Sequence, residues 1–177
     1  LPMILDEKLY VVEKTEYRDE WKKKWGGSFF VFSSQRIDDS FKGNAGLLNV
    51  FLSLIDCCEG IRFVLMDWGE DTDKLKKAVE KNERLRKKII FLKVCGKNRL
   101  KKYLNASDCY IDQFKLGNYG VGALEAMALG KPIVGRYEML QYKALFGGEP
   151  PMLNVSTKEN IIRQIVDLYN NKELLNK

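Results

Sequence analysis

The sequence has 177 residues, with 30 lysines and arginines against 24 aspartates and glutamates, which gives a formal net charge of +6. It contains no histidine, and this excludes histidine-based catalytic triads and the usual zinc catalytic sites built from this chain alone. No segment approaches the roughly 20 apolar residues of a membrane span, and the length suffices for one domain with a full hydrophobic core.

Residues 1–28 carry the least regular pattern. The Tyr-Val-Val at residues 10–12 is typical of a short strand, while Trp21 and Trp25 share one face of a helix that stops at the glycine pair 26–27. Two interpretations stay open for this segment. It is either an interdomain linker and hinge, or its two tryptophans pack on the sheet as ordinary core.

From residue 29 onward, strand and helix patterns alternate along the chain. Apolar and β-branched runs predict strands, and apolar residues at helical spacing predict helices. The predicted strands span residues 29–34, 62–67, 88–92, a segment at Tyr110 and residues 133–134, and the predicted helices span residues 47–55, 73–86, 98–105, 123–129 and 158–169. This order predicts an α/β fold, a three-layer αβα Rossmann-like domain with a parallel sheet.

The segment 108–132 carries the strongest functional signal. It combines a strand, a loop broken by Gly117, Gly120 and Gly122, and a short run of good helix formers. The N-terminus of such a helix attracts anions, because its first N–H groups are free and glycine lets a phosphate approach the backbone. Glu125 follows about one turn into the helix, where a carboxylate can accept hydrogen bonds from the two hydroxyls of a ribose. Phosphate and diol together indicate a nucleotide.

The cysteines and the charge run favour structural roles. No Cys-x-x-Cys pair is present, and the four cysteines are expected to be small buried hydrophobes in a reducing, cytoplasmic compartment, namely Cys57, Cys58, Cys95 and Cys109. The basic run at residues 74–88 alternates with acidic residues and indicates a solvated helix face. Contact with an anionic membrane surface is the main alternative, and we expect no nucleic-acid partner.

The helix that contains Glu125 resembles the signature of the C-terminal, donor-binding domain of GT-B glycosyltransferases, above all glycosyltransferase family 4. That signature runs Glu, seven residues, Glu-Ala-Met-Ala-x-Gly-x-Pro, and residues 125–132 match its second half. The position of the first glutamate is occupied by Gly117. A second match lies upstream, where Arg36 and Lys42 follow the first predicted strand at the spacing of the family's arginine and Lys-Gly.

The resemblance covers roughly residues 29–169 and implies one half of a GT-B architecture, with residues 29–177 as the nucleotide-sugar domain and residues 1–28 as linker or extension. The length is near half of a two-domain enzyme, so the N-terminal acceptor domain is expected to be missing. The implied activity is retaining sugar transfer from a nucleotide sugar to a glycan, lipid or other acceptor, with no metal and no separate cofactor.

The resemblance also implies roles for single residues. Arg36 and Lys42 would grip the diphosphate and act in catalysis, and Glu125 would hold the ribose. A cation at a helix N-terminus, as predicted for Lys42, is opposed by the helix dipole unless an anion lies between them. The remaining donor-binding candidates are Gly120, Val121 and Gly122 at the phosphate or sugar, Lys93 and Val94 beside the base, and Gly117 or its neighbours Asp112 and Gln113 near the sugar.

Two other functions stay open. A related GT-B epimerase or hydrolase would share the donor site but turn over without a sugar acceptor. A non-catalytic αβα regulatory module is favoured chiefly by the glycine at position 117. The sequence identifies neither the base nor the sugar.

Overall fold

The computed structural model describes residues 5–42 and 46–171 as one parallel sheet with helices on both faces. The strands are β1 (Phe29–Ser33), β2 (Ile61–Asp67), β3 (Ile89–Lys93), β4 (Cys109–Ile111), β5 (Ile133–Gly135) and β6 (Leu153–Asn154). The helices are α1 (Glu16–Trp25), α2 (Asp39–Lys42), α3 (Leu47–Cys57), α4 (Thr72–Glu80), α5 (Glu83–Arg86), α6 (Lys97–Ala106), α7 (Val121–Ala128), α8 (Met139–Phe146) and α9 (Lys158–Asn170), with a short 3₁₀ helix at Glu7–Leu9.

The strand order is β3-β2-β1-β4-β5-β6, and every neighbouring pair is parallel. The order runs one way from β1 to β3 and the other way from β4 to β6, so the direction of winding reverses between β1 and β4. In open parallel sheets, a crevice forms at the carboxyl ends of the strands at such a reversal. The predicted αβα Rossmann-like fold is confirmed.

The core is divided into two layers by the alternation of side chains along each strand. Phe29 and Val31 of β1 point to the layer formed with α3, α4, α5 and α9, whereas Phe30 and Phe32 point to the layer formed with α1, α6 and α7. All four side chains are buried. A strand buried on both faces gives the continuous apolar run that the sequence shows at this place.

Helix α1 belongs to the second layer. Trp21 is buried, and its ring lies 5.5 Å from the ring of Phe30 and 5.7 Å from the ring of Tyr103 on α6. Thr15 begins the helix by accepting a hydrogen bond from the Tyr17 N–H. The alternative in which the tryptophans pack on the sheet is therefore the one that the structure shows for Trp21.

Several local predictions were wrong. The helix predicted at 73–86 is interrupted because the Asn82 side chain accepts from the N–H groups of Arg84 and Leu85 and begins a separate helix. Residues 10–12 form no strand and lie along α6. Cys57 is exposed, although Cys58 and Cys109 are buried as predicted.

The basic run at residues 74–88 does form a solvated face, with Leu75, Val79 and Leu85 turned to the core. Helix α8 and the short strand β6 were not predicted. Among the described residues, no helix is both long and apolar enough to cross a membrane.

Candidate functional site

A pocket of about 330 Å³ lies at the carboxyl edge of the sheet, where the winding reverses between β1 and β4. Its walls come from the segments that follow β1, β2 and β4 and from the start of α7. The lining residues are Ser34, Gln35, Arg36, Trp68, Tyr110, Asp112, Gly120, Val121 and Gly122. Four predicted site residues, Arg36, Gly120, Val121 and Gly122, are thus brought together.

The start of α7 presents free backbone donors beside this pocket. The Gly120 N–H is not one of them, because it donates to Oδ2 of Asp112 at 2.9 Å. Within the described chain, no acceptor takes the N–H groups of Val121 and Gly122. Two unpaired donors at a helix N-terminus, where the dipole is positive, favour an anion.

Gly122 is required by packing. A Cβ at this position would lie 2.3 Å from the Tyr110 hydroxyl and 2.7 Å from Oγ of Ser34. Those two hydroxyls are hydrogen-bonded to each other at 2.9 Å. Burial, and then the negative charge of Asp112, raise the pKa of Tyr110 well above its ordinary value, so the phenol stays protonated and can donate. The glycine lets β4, the β1 loop and α7 meet.

Arg36 supplies positive charge to the pocket. Its side chain is 41% exposed, and its Nη2 lies 2.9 Å from Oδ2 of Asp38, which is buried. The pair holds the guanidinium near the pocket while leaving several of its donors available. Lys42 is the last residue of α2, and α3 begins at Leu47, so Lys42 does not open the long helix as predicted. The Lys42 side chain lies outside the part of the chain that the structure describes.

Trp68 is a pocket residue that sequence reasoning missed. Its indole N–H donates to the Ser34 carbonyl at 3.0 Å, and 43% of the residue is exposed. The following residue, Gly69, has a φ of +122°, and a Cβ there would lie 2.2 Å from the Ile37 carbonyl oxygen. The sequence signal that could have found it is its position directly after a predicted strand, because ligands bind beyond the carboxyl ends of the strands in open parallel sheets.

Glu125 lies on α7 but is almost fully buried, with 2% of the residue exposed. Its Oε1 accepts two hydrogen bonds of 2.6 Å, one from the Tyr10 hydroxyl and one from Nζ of Lys97. Lys97 begins α6, four residues after β3 ends at Lys93, so this ion pair joins the start of α6 to Glu125. Sequence reasoning predicted the carboxylate but neither of its partners.

The segment that carries Tyr10 is held on α6. Nζ of Lys101 donates to the Leu9 carbonyl at 3.0 Å, and Nδ2 of Asn105 donates to the Val11 carbonyl at 3.1 Å. Burial, and then the hydrogen bond with Glu125, raise the pKa of Tyr10 above its ordinary value. Residues 9–12, here called the N-terminal strap, therefore cover the carboxylate that the sequence assigns to the ribose.

The other predicted residues do not line the pocket. Lys93 ends β3, and Val94 directly after it is 62% exposed. Gly117 lies in the loop between β4 and α7 with a φ of +72°, and its carbonyl accepts from the Glu138 N–H. Among the described residues, no group of three or more histidine, cysteine, aspartate or glutamate side chains is placed to hold a metal ion.

A parallel αβα sheet with a helix that begins at its winding reversal is the arrangement of the Rossmann-like class of α/β domains. Residues 13–176 match the family described as Glycosyl transferases group 1, and the chain belongs to that family. No curated protein sequence matches the chain.

Solved structures agree on the fold, which is that of the C-terminal half of GT-B glycosyltransferases. The C-terminal domain of LpcC, a group 1 glycosyl transferase family protein from Francisella tularensis, is 21% identical, with a TM-score of 0.71 over 97% of this chain and 90% of that one. HepE from Anabaena, solved with UDP-glucose, is 16% identical, with a TM-score of 0.70 over 97% of this chain and 47% of HepE.

A third structure is a putative UDP-N-acetylglucosamine 2-epimerase from Listeria monocytogenes, which is 16% identical, with a TM-score of 0.66 over 96% of this chain and 44% of that one. The chain therefore spans less than half the length of HepE and of the epimerase. At these identities the likeness shows the fold alone.

Proposed function

We propose that this chain binds the donor of a retaining, nucleotide-sugar-dependent glycosyltransferase of the family 4 type, in which protein cations rather than a metal neutralise the diphosphate. The observation that carries the proposal is the combination of the two open N–H groups of Val121 and Gly122 with the Arg36 guanidinium around one pocket. Anionic diphosphate oxygens satisfy both kinds of donor at once.

The chemistry of the proposed reaction consists of stabilising a leaving group. As the bond between the sugar and the diphosphate breaks, negative charge grows on the departing phosphate oxygens. Fixed dipoles and cations aimed at those oxygens lower the barrier, because they interact more strongly with the leaving group than with the intact donor. Arg36, Lys42 and the start of α7 are assigned this role. On this account no side chain of this domain needs to act as a nucleophile.

We assign the nucleoside to the side of α7 that faces α6, away from the proposed diphosphate position. The Glu125–Lys97 pair marks a place where a carboxylate and the loop after β3 meet. We propose that Glu125 holds the ribose hydroxyls and that Lys93 and Val94 lie beside the base. Since Glu125 is covered by Tyr10 and Lys97, nucleoside binding on this account requires the N-terminal strap or the lysine to move.

Binding of nucleoside diphosphates to the 177-residue chain tests the proposal. A ligand with a Kd of ~1 mM, present at ~5 mM, adds about 1 kcal/mol to the free energy of unfolding, which raises Tm by about 2–4 °C for a domain of this size. We expect one of UDP, GDP and ADP to give this shift, and we expect Arg36→Ala and Lys42→Ala to abolish it.

The matched control is Arg163→Ala, which removes an exposed arginine from α9, on the face of the sheet opposite α7. This variant should keep the full Tm shift. If none of the three nucleotides raises Tm, or if Arg36→Ala keeps the shift, the donor-binding assignment is wrong. The first of these outcomes would favour a non-catalytic module.

The epimerase alternative is supported by the fold shared with the Listeria protein. It is separated from transfer by chemistry, because an epimerase or hydrolase converts a nucleotide sugar with no acceptor present. A longer form of the protein that includes an acceptor domain should leave a nucleotide sugar unchanged until an acceptor is added. Turnover without acceptor would establish the alternative.

A further inference from the structure

Glu138 fills the place that is left empty by the absent side chain of Gly117. A Cβ built on Gly117 would lie 2.6 Å from Cγ of Glu138 and 3.4 Å from its Oε1. The two residues are also joined through the backbone, where the Glu138 N–H donates to the Gly117 carbonyl at 2.8 Å. In a glutamate at position 117, the carboxylate oxygens would lie three bonds from the Cβ. The 3.4 Å between this Cβ and Oε1 of Glu138 is within the reach of such a side chain.

The same carboxylate lies at the ligand-binding edge of the sheet. Glu138 is the third residue after β5, and β5 is the neighbour of β4. The Arg136 N–H donates to the Gln113 carbonyl at 2.9 Å, which ties the segment after β5 to the loop that leads into α7. The Glu138 side chain is 47% exposed, and its Oε1 lies 2.6 Å from Nη2 of Arg136. It is thus held in place and open to a ligand.

Two other polar side chains of the loop, Asp112 and Gln113, are engaged in holding it together. Asp112 is 2% exposed, and its Oδ2 accepts from the Gly120 N–H. Gln113 is fully buried, accepts from the Leu116 N–H and donates to Asn118. These two residues were the sequence-based candidates for the sugar, and their contacts explain them as supports of the loop.

On the proposed layout of ribose and diphosphate, the donor sugar lies on the side of Glu138. The proposed ribose position, at the Glu125–Lys97 pair, lies on the α6 side of α7. The proposed diphosphate position is at the start of α7, between β1 and β4. A sugar attached to the far phosphate continues away from the ribose, toward the segment that follows β5, about two strand spacings or 10 Å from β1.

We propose that Glu138 recognises the sugar of the donor by accepting hydrogen bonds from two of its hydroxyls. An ionised carboxylate is an acceptor-only group with two oxygens, which suits a pair of neighbouring hydroxyls, and hydrogen bonds to a charged group are the stronger kind. Arg136 lies beside it and balances its charge when the site is empty. This assignment rests on the proposed donor function, and it makes Glu138 the residue that determines which donor sugar is bound.

The test compares the bare nucleoside diphosphate with its sugar conjugates on the wild type and on one variant. Calorimetric titration measures Kd for the nucleoside diphosphate selected above and for its glucose, galactose and N-acetylglucosamine conjugates, with wild type and Glu138→Gln. The substitution keeps shape and removes charge. We expect Kd for the preferred sugar conjugate to rise about 10- to 100-fold, as the loss of charged hydrogen bonds implies. Kd for the bare nucleoside diphosphate should change less than about 2-fold.

Glu149→Gln is the matched control, because Glu149 also pairs with an exposed cation, Lys143, and should leave both constants unchanged. If Glu138→Gln weakens both ligands equally, or weakens neither, the assignment of Glu138 is overturned while the donor site stands. If the wild type binds neither ligand, the proposed function itself fails, and the two failures are thereby distinguished.

Discussion

The two ends of the sheet differ in whether their charged and polar groups find partners within the chain. At the amino end, the Asp108 carboxylate accepts from Nη1 and Nη2 of Arg18 at 2.5 and 2.9 Å and from the Phe30 N–H at 2.6 Å. Nζ of Lys131 donates to the carbonyls of Asn105 and Ser107 at 3.1 and 2.8 Å, and burial lowers its pKa. These polar groups are satisfied within the chain.

At the carboxyl end, donors and apolar groups are left open. The first N–H groups of α7 lack acceptors within the described chain, and the Arg36 side chain is 41% exposed. Large hydrophobic residues are also exposed at this end or beside it, namely Trp68, Val94, Leu116, Val121, Met139 and Leu140. The amino-end groups, which the chain satisfies, serve folding, whereas the donors left open at the carboxyl end are ones that a ligand or partner can satisfy.

The largest effect on the free energy of unfolding should come from disrupting the Asp108 network at the amino end of the sheet. Asp108→Ala leaves the Phe30 N–H without its acceptor and removes the carboxylate from the mostly buried Arg18 guanidinium, which keeps only the carbonyls of Ser28 and Ala106. Removing one partner of such a network costs about 2–4 kcal/mol. We expect the free energy of unfolding, measured by urea denaturation, to fall by this amount. Below the lowered Tm, the nucleotide Kd should stay unchanged.

The control is Asp56→Ala at the exposed pair with Arg84, where the loss should stay within about 0.5 kcal/mol. An Asp108 variant that lost nucleotide affinity while still folded would contradict the division between the two ends.

The second largest effect is expected for Gly122 at the carboxyl end, where one substitution should lower both the free energy of unfolding and nucleotide binding. Gly122→Ala places a methyl group against the Tyr110 hydroxyl and Ser34, and overpacking of this kind costs about 1–3 kcal/mol. Alanine gains about 0.5–1 kcal/mol of helix propensity, so the expected net loss lies between about 0 and 2.5 kcal/mol. The nucleotide-induced Tm shift should disappear as well, because the methyl group narrows the approach to the helix start.

Gly148→Ala provides the matched substitution, since a Cβ there meets nothing within 4 Å. It should change neither the free energy of unfolding by more than about 0.5 kcal/mol nor the nucleotide-induced shift. A Gly122 variant as stable and as responsive as Gly148→Ala would show that the close contact does not matter.

The contrast between the ends also explains what the sequence could predict. The apolar run of β1 and the glycine-broken start of α7 are local patterns, so the alternating fold followed from short segments, and the family resemblance implied that Arg36 and Gly122 belong to one site. Whether those residues bind a donor stays a prediction. The break before α5 was missed because the asparagine at its start competes with a helix through its own side chain.

Contacts between distant residues could not be predicted. Tyr10 donates a hydrogen bond to Glu125, 115 positions away, and Glu138 lies against Gly117 from the segment between β5 and α8, a helix that was not predicted. In both cases the partner comes from a segment without clear periodicity. The pattern therefore identified the carboxylate and the glycine but not what lies against them.

The smallest effect is expected at the N-terminal strap, where Tyr10 covers Glu125 near the carboxyl end of the sheet. Tyr10→Phe removes the hydrogen bond to Glu125 and keeps the ring, so the free energy of unfolding should fall by about 0.5–1.5 kcal/mol. If the ribose needs this carboxylate, the variant no longer has to break the bond before binding. Nucleotide Kd should then fall about 2- to 12-fold in calorimetric titration. An unchanged or raised Kd would mean that the ribose does not replace the phenol at Glu125.

A pH series separates this hydrogen bond from a general effect of the substitution. Because the folded-state pKa of Tyr10 is raised above 10.0, the folded protein holds this proton more tightly than the unfolded chain does. The stabilisation by Tyr10 is thus fully present below about pH 10 and is lost as the pH rises toward the folded-state pKa. The difference in unfolding free energy between wild type and Tyr10→Phe should shrink above pH 10, and the difference in Kd should shrink with it. A difference that stays constant across this range would assign the effect of Tyr10 to its ring instead of its hydroxyl.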